Sequence, residues 1–138
     1  MRLSSAAIRQ LEQRARDAIK NAYSPYSHFP VGAAVLTASG KVFSGSNVEN
    51  ASFGLCNCAE RTAVFTAIAS GEREIRAVAI YTPTRILTTP CGACRQVLNE
   101  FGPDAIVISI CDGKERLATS LSKLLPSAFG PKNLRRRK

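Results

Sequence analysis

Cys58-Ala59-Glu60 and, further along the chain, Pro90-Cys91-Gly92-Ala93-Cys94 are the two segments that decide the fold and the chemistry. A structural zinc site needs four protein ligands, whereas a catalytic zinc takes three and keeps one position open for water. A carboxylate two residues after the first thiol can move protons beside that open position. The two segments therefore predict a catalytic zinc ion with Cys58, Cys91 and Cys94 as ligands and Glu60 as the proton shuttle.

Each of these segments opens a predicted helix. Apolar residues at helical spacing follow Cys58 as far as Gly71, and they follow Pro90 as far as Gly102-Pro103. The N-terminal end of a helix carries a partial positive charge and unpaired backbone N–H groups, which favour the thiolate form of cysteine. We therefore expect both helices to offset the negative charge of three thiolates on one zinc ion.

Polar side chains beside the motif are candidates for supporting the ligands. Arg61 follows Glu60 directly, and Arg95 and Gln96 lie in the first turns of the second helix. Each can donate a hydrogen bond to a ligand sulfur, and each can equally be a solvated residue on a helix surface. The sequence favours the supporting role for Arg61 and leaves both interpretations open for Arg95 and Gln96.

The rest of the chain predicts an α/β domain around these helices. Two β-prone runs joined through Ala38-Ser39-Gly40 are typical of a hairpin, and two further runs are apolar throughout, as in a sheet covered on both faces. Predicted strands are residues 31–37, 41–45, 77–82 and 106–110, and the other predicted helices are residues 4–22 and 117–125. Helices that alternate with buried strands indicate an α/β sandwich, with a mixed sheet because of the hairpin.

Length and composition limit the possible classes of protein. A chain of 138 residues is one domain, short for a cleft that it closes alone, so a neighbouring subunit can complete the walls. We divide it into a domain at residues 1–131 and a basic tail at residues 132–138. No run approaches the length of a membrane span, and the N-terminus lacks the apolar core of a signal peptide, so we expect a cytoplasmic protein with no membrane partner.

The cysteines and the charge are consistent with this expectation. Five cysteines are an odd number, and three at metal-ligand spacing favour thiolate ligands in a reducing compartment over disulfides. Cys56 and Cys111 are expected to be small buried side chains. The net charge of +9 is partly concentrated in Arg135-Arg136-Arg137-Lys138, which is more typical of a solvated tail than of a nucleic-acid site, because no aromatic residues interleave with it.

The metal motif and the segments around it resemble a known family. Cys-x-Glu followed by Pro-Cys-x-x-Cys resembles the zinc-dependent nucleoside and nucleobase deaminases, and cysteine in the first place is what the small cytidine deaminases use. Similar segments cover most of the chain from residue 21 to residue 134. They are Tyr23-Ser24-Pro25-Tyr26-Ser27, Phe29-Pro30-Val31-Gly32-Ala33-Ala34, Asn47-Val48-Glu49-Asn50-Ala51, Cys56-Asn57-Cys58-Ala59-Glu60-Arg61-Thr62-Ala63, Pro90-Cys91-Gly92-Ala93-Cys94-Arg95-Gln96-Val97 and Leu124-Leu125-Pro126-Ser127-Ala128-Phe129-Gly130-Pro131.

The resemblance to cytidine deaminases implies a fold, a reaction and a set of contacts. The implied fold is a three-layer α/β/α sandwich around a mixed five-stranded sheet. The implied reaction is hydrolytic deamination of free cytidine and 2′-deoxycytidine to the uridines, for pyrimidine salvage, with zinc-bound hydroxide attacking C4 and Glu60 carrying the protons. The implied substrate contacts are Phe29 on the pyrimidine, Asn47 and Glu49 on the sugar hydroxyls, and the Ala59 N–H on the pyrimidine carbonyl.

The resemblance also implies a homotetramer in which neighbouring subunits contribute to each active site. Phe129 matches the C-terminal aromatic residue that reaches a neighbour. Phe53 departs from the pattern, since the family often has tyrosine there, and the hydrogen bond of that phenol to a neighbouring subunit is then absent.

Three other interpretations stay open at this point. One is a deaminase that acts on cytosine in RNA or DNA, which the basic tail favours. An anionic Glu49 at the 3′-hydroxyl disfavours this interpretation, because a carboxylate there repels the phosphate of a polymer. Another is a deaminase for a modified cytosine nucleoside. The third is a structural zinc module with Cys56 as fourth ligand, which would leave Glu60 without a purpose.

Overall fold

The computed structural model describes residues 2–135, and these form a three-layer α/β/α sandwich around a mixed five-stranded sheet. The helices are α1 (Ser5–Ala18), α2 (Ala59–Ala69), α3 (Gly92–Phe101) and α4 (Leu121–Leu124). The strands are β1 (Gly32–Thr37), β2 (Val42–Ser46), β3 (Ile75–Thr82), β4 (Ile106–Cys111) and β5 (Arg116–Ser120). Short 3₁₀ helices cover Ile19–Asn21, Phe53–Leu55 and Pro131–Leu134. The predicted fold class is confirmed.

The sheet has the strand order β2-β1-β3-β4-β5. β1 pairs antiparallel with β2 and β3, and β5 pairs antiparallel with β4. β3 and β4 run parallel, and α3 provides the crossover between them. The predicted hairpin is confirmed, with Gly40 in its turn at a φ of +89°, a conformation that favours glycine.

Apolar residues on both faces of the sheet explain the two helical layers. On one face Leu11 and Ala15 of α1 pack with residues of β1, β3 and β4. On the other face Ala63 and Val64 of α2 and Leu98 of α3 pack against the same strands. The two cysteine-bearing helices therefore share one face of the sheet, which brings their N-terminal ends together.

β2 and α2 approach each other closely at Gly45. A Cβ atom added at Gly45 would lie 2.5 Å from the backbone N of Ala63 and 2.8 Å from the carbonyl O of Ala59. Glycine is therefore required at this position for the first turn of α2 to pack on the strand. This contact fixes the height at which Cys58 and Glu60 sit above the sheet.

The helix predicted over residues 117–125 is wrong in its first half. Residues Arg116–Ser120 form the edge strand β5, in register with β4 from Ile110↔Arg116 to Ile106↔Ser120. Helix α4 begins only after Ser120, whose hydroxyl caps it by accepting from the Lys123 N–H at 3.4 Å. The free edge of β4 explains the difference, because its backbone groups need partners that the local pattern of residues 117–120 does not reveal.

Other boundaries agree with expectation to within a few residues. Ser4 caps α1 by accepting from the Ala7 N–H at 3.1 Å. The division at residue 131 stays a prediction, and the 3₁₀ helix Pro131–Leu134 lies across it. Of the basic cluster, Arg136, Arg137 and Lys138 lie outside the described residues. Between residues 2 and 135, no helix combines the length and the apolar character that crossing a membrane requires.

Candidate metal centre and active site

Three cysteine sulfurs converge where the N-termini of α2 and α3 meet. Cys58 and Cys91 are the N-cap residues of these helices, and Cys94 lies in the first turn of α3. The Sγ atoms of Cys58 and Cys91 are 3.8 Å apart, those of Cys91 and Cys94 are 3.5 Å apart, and all three lie within 4.8 Å of one another. Tetrahedral zinc with Zn–S bonds of about 2.3 Å requires sulfurs about 3.8 Å apart. The donor set and its spacing therefore fit one zinc ion.

Positive groups around the sulfurs favour the thiolate form that a metal ligand needs. The Arg61 guanidinium donates a hydrogen bond to Cys58 Sγ at 3.3 Å. A hydrogen bond from the Cys94 thiol, together with Arg61, lowers the pKa of Cys58 to about 5. The same thiol contact raises the pKa of Cys94, because Cys94 is the donor. The surroundings therefore favour a thiolate at Cys58, the form in which cysteine binds a metal ion.

Glu60 lies in the first turn of α2 and is buried, with only 4% of its surface exposed. Burial and, to a smaller extent, the negative charge of the nearby Cys58 raise the pKa of this carboxyl to about 7. A group with a pKa near neutrality can both accept and return a proton at physiological pH. The preceding residue, Ala59, is fully buried and begins α2, so its N–H is one of those that find no partner within the helix.

Asn47 connects the predicted sugar site to the backbone around Phe29. Its side-chain amide donates to the carbonyl O of Phe29 at 2.8 Å and accepts from the N–H of Val31 at 2.9 Å. An amide side chain has two N–H donors and two acceptor positions, so one of each remains available after these bonds. The buried Asn47 thus holds the Phe29 backbone and keeps a free donor.

Glu49 makes the other set of contacts to the same loop. Its Oε1 accepts from the backbone N–H groups of Tyr26 at 3.0 Å and Ser27 at 3.1 Å, and its Oε2 accepts from the Ser27 hydroxyl. The hydroxyl contact, followed by the two N–H groups, lowers the pKa of Glu49, so the side chain is a carboxylate at neutral pH. No spacing or motif in the sequence marks Ser27 as part of this site.

Phe29 borders a cavity of about 340 Å³ together with Thr84, Arg85, Ile86, Leu87 and Thr88. Phe29 is 40% exposed, which leaves part of its surface for a ligand. A larger cavity of about 520 Å³ lies between α3 and the C-terminal segment, where Asn99, Ser127 and Arg135 are among its lining residues. None of the predicted ligands or substrate contacts lines the larger cavity, so size alone does not mark the site.

Arg95 and Gln96 hold neighbouring segments in place. The sequence leaves open whether Gln96 donates to a ligand sulfur, and among residues 2–135 no such bond is found. Its amide donates instead to the carbonyl O of Phe129 at 2.8 Å. The Arg95 guanidinium donates to the carbonyl O of Pro90 at 2.7 Å and to the Thr89 hydroxyl at 3.1 Å. Arg95 therefore holds the loop that carries Cys91, whereas Gln96 holds the backbone of Phe129, a residue that is 59% exposed.

The two remaining cysteines lie apart from the sulfur cluster. Cys56 Sγ accepts from the Asn50 N–H at 3.3 Å and is half-buried, and Cys111 is buried beside the carbonyl O of Arg85. In the described part of the chain, the cysteine group that can share a metal ion consists of Cys58, Cys91 and Cys94. A four-sulfur structural site completed by Cys56 is therefore not formed.

Comparison with known proteins identifies the family. The sequence model of the family described as "Cytidine and deoxycytidylate deaminase zinc-binding region" matches residues 6–110. The chain belongs to the cytidine and deoxycytidylate deaminase family. The matched region contains all three clustered cysteines and Glu60, so the sulfur cluster is the zinc-binding group of this family member.

Individual members of the family are similar over nearly the whole chain. A cytidine deaminase of Sporosarcina psychrophila is 41% identical over 128 residues, covering 92% of this chain and 94% of that protein. One of Halalkalibacterium halodurans is 46% identical over 121 residues, covering 86% and 91%. The crystal structure of a cytidine deaminase from Burkholderia pseudomallei superposes with a TM-score of 0.84 at 48% identity, covering 92% of this chain and all of that one.

Proposed function

We propose that this family member deaminates free cytidine and 2′-deoxycytidine by hydrolysis to uridine and 2′-deoxyuridine, for pyrimidine salvage in the cytoplasm. The observation that carries the proposal is a three-sulfur cluster with a buried carboxyl of pKa about 7 beside it. Similarity to cytidine deaminases over nine-tenths of the chain supports the choice of substrate. All five cysteines are free, which is consistent with a reducing compartment.

Glu60 moves the protons of the proposed reaction. Zinc held by Cys58, Cys91 and Cys94 would supply the Lewis acidity that makes water a nucleophile near neutral pH. The Glu60 carboxylate takes a proton from the water that adds to C4 and delivers it to N3 of the pyrimidine. It then takes the second proton of that water from the hydroxyl group now on C4 and delivers it to the amino group. The C4–N bond breaks, the C4 carbonyl forms, and ammonia leaves. Because Glu60 is buried, its proton passes to the substrate instead of to bulk solvent.

Phe29, Ala59, Asn47 and Glu49 bind the nucleoside in this proposal. The ring of Phe29 packs on the pyrimidine, and the Ala59 N–H donates to the pyrimidine carbonyl. The Glu49 carboxylate has about four acceptor positions, and three of them already accept hydrogen bonds. The Asn47 amide uses one N–H and keeps the other free. One free acceptor and one free donor can satisfy a single hydroxyl group, which is consistent with a site that takes both ribose and 2′-deoxyribose.

A homotetramer would complete this site with residues of neighbouring subunits. The chain exposes large aromatic side chains, including Phe129 at 59% and Phe53 at 70%, and the Phe53 ring contacts that of Tyr26 at a centroid distance of 5.6 Å. Such exposed rings are typical of interfaces. We propose that Phe129 reaches into the site of a neighbour, and that Phe53 contributes apolar contact where a tyrosine would add a hydrogen bond.

The main rival is a deaminase that acts on cytosine in RNA or DNA. The positive charge of the chain and its basic end favour that possibility. The carboxylate of Glu49 disfavours it, because its lowered pKa keeps a negative charge where a polymer has a 3′-phosphate. Deleting residues 135–138 should leave the turnover of free cytidine unchanged; a large loss would support the polymer substrate. A modified cytosine nucleoside stays open as a substrate and can be tested in the same assay.

The proposed function is tested with Glu60→Gln and a matched control. The loss of cytidine's ultraviolet absorbance should be rapid with the wild-type enzyme and reduced at least about a thousandfold by Glu60→Gln. Glu72→Gln changes a partly exposed glutamate that accepts a hydrogen bond from Ser39, away from the sulfur cluster, and should keep full activity. Zinc content is measured in parallel for all three proteins. Wild-type turnover by a zinc-loaded Glu60→Gln protein would show that the proton shuttle is assigned wrongly.

A further inference from the structure

Ser27 lies between the residue proposed to bind the sugar and the residue proposed to pack on the base. Its hydroxyl donates to Oε2 of Glu49 and accepts from the backbone N–H of Phe29 at 3.0 Å. One oxygen atom, Ser27 Oγ, therefore connects the Glu49 carboxylate to the backbone N–H of Phe29.

The loop around Ser27 needs these bonds to keep its shape. His28, between Ser27 and Phe29, has a φ of +56°, in the left-handed region that costs energy for a residue with a side chain. Its N–H donates to the carbonyl O of Ser24 at 3.0 Å, which closes the turn. Such a conformation persists only where the surroundings hold it, and here Ser27 and Glu49 provide the hydrogen bonds on either side.

The Phe29 backbone is consequently held at both of its polar groups. Its N–H is bound by the Ser27 hydroxyl, and its carbonyl O is bound by the side chain of Asn47. Both of these bonds lead to residues of the proposed sugar site, since Ser27 is bound to Glu49 and Asn47 belongs to the site itself. The position of the ring is thus coupled to the position of the sugar-binding groups.

We propose that Ser27 is a positioning residue that couples recognition of the sugar hydroxyl by Glu49 to the placement of the Phe29 ring on the pyrimidine. This inference rests on the proposed function and adds a specificity determinant to it. In the Ser27→Ala protein, the Tyr26 and Ser27 N–H groups still bind Oε1 of Glu49, so the loop keeps two of its anchors. What is lost is the hydrogen bond that fixes Oε2, the oxygen with a free position for substrate, and the one that fixes the Phe29 N–H.

The test compares two substrates that differ in the sugar hydroxyl. We expect Ser27→Ala to raise the KM for 2′-deoxycytidine about tenfold with kcat changed less than about threefold, because a hydrogen bond to a charged group is lost. 2′,3′-Dideoxycytidine lacks the hydroxyl that Glu49 binds, so its kcat/KM should fall less. The preference of the enzyme for 2′-deoxycytidine over 2′,3′-dideoxycytidine should therefore shrink at least about threefold. Ser27→Thr keeps a hydroxyl and should retain the wild-type preference.

Ser39→Ala is the matched control. Ser39 is a second exposed serine whose hydroxyl donates to a glutamate, Glu72, at 2.7 Å, in the hairpin turn away from the sulfur cluster. Ser39→Ala should leave kcat/KM for both substrates unchanged. A preference that stays at the wild-type value in Ser27→Ala, whatever the overall activity, would overturn the proposal. The loss of a merely structural serine would lower kcat/KM for both substrates equally.

Two further results separate the possible failures. If the wild-type enzyme deaminates neither cytidine nor 2′-deoxycytidine, the proposed function is wrong; if it does and only the Ser27→Ala preference is unchanged, the role of Ser27 alone is wrong. If Ser27→Ala does not fold, as judged by thermal unfolding, Ser27→Cys replaces it. The thiol has a similar size but hydrogen-bonds weakly, so the preference should shrink in the same direction, and an unchanged preference would again overturn the proposal.

Discussion

Replacing Glu60 by glutamine should stabilise the metal-free protein, and by an amount that depends on pH. Burial raises the pKa of Glu60 from 4.5 to about 7. Between these two values the native chain keeps a proton on Glu60 that the unfolded chain has released, so native stability falls as the pH rises through this window. A pKa difference of about 2.5 at about 1.4 kcal/mol per pKa unit makes the ionised carboxyl cost roughly 3 to 4 kcal/mol above pH 7. Glutamine does not titrate and escapes this cost.

Urea unfolding at a series of pH values measures the effect. Metal is first removed with a chelator, because a cation on the three sulfurs would change the pKa of the nearby carboxyl. The free energy of unfolding of Glu60→Gln minus that of the wild-type protein should be constant below about pH 4.5. It should rise between about pH 4.5 and pH 7 and level off roughly 3 to 4 kcal/mol higher. Any effect of the amide on packing shifts the whole curve but not its slope.

Glu72, a partly exposed glutamate whose pKa is shifted in the opposite direction, serves as control. Hydrogen bonds lower the pKa of Glu72, so its ionised form stabilises the native state, and Glu72→Gln should lose a little stability as the pH rises past the carboxyl's ordinary pKa. A difference curve for Glu60→Gln that is flat between pH 4 and pH 8 would refute the reasoning, since the carboxyl would then titrate alike in the folded and unfolded chains.

Three further predictions concern the groups that support the sulfur cluster. Gly45→Ala would place a Cβ 2.5 Å from the backbone N of Ala63 and should lower the melting temperature by about 10 °C. Gly54→Ala, whose added Cβ would have no atom within 4 Å, should leave the melting temperature unchanged. Equal melting temperatures of the two variants would contradict the close packing at Gly45. Arg61→Met removes a donor to a ligand sulfur and should weaken zinc binding about tenfold in competition with a chromophoric chelator, and unchanged affinity would exclude that role. Arg95→Lys removes a guanidinium that makes three hydrogen bonds and should lower the free energy of unfolding, measured in urea, by about 2 kcal/mol. An unchanged free energy of unfolding would mean that water replaces these hydrogen bonds.

The sulfur cluster could be predicted from the sequence because its geometry is mostly local. Cys58 and Cys91 each stand at an N-cap, and Cys94 follows one turn into the second helix, so the motif itself fixes which way the thiols face. The raised pKa of Glu60 was not predictable in the same way, since it depends on the burial of the first turn of α2 against the sheet.

The features that the sequence did not predict depend on distant partners. Residues Arg116–Ser120 form a strand because β4 offers them an open edge, a fact about the sheet and not about these five residues. The role of Ser27 depends on Glu49, and that of Gln96 on Phe129, each pair far apart in the chain. Single hydrogen bonds across such separations leave no periodic pattern in a sequence, so spacing rules cannot find them.

The same burial that destabilises Glu60 gives it a pKa suited to proton transfer. A carboxyl in water has a pKa near 4.5 and would hold a proton only briefly at neutral pH, whereas Glu60 is poised between its two forms. The surrounding apolar residues of α2, Ala59, Ala63 and Val64, are fully buried and supply the stabilisation that offsets this cost. A substitution that exposes Glu60 to water would therefore relieve the native state and slow the proton transfer together, because both effects have one origin, the exclusion of solvent from the carboxyl.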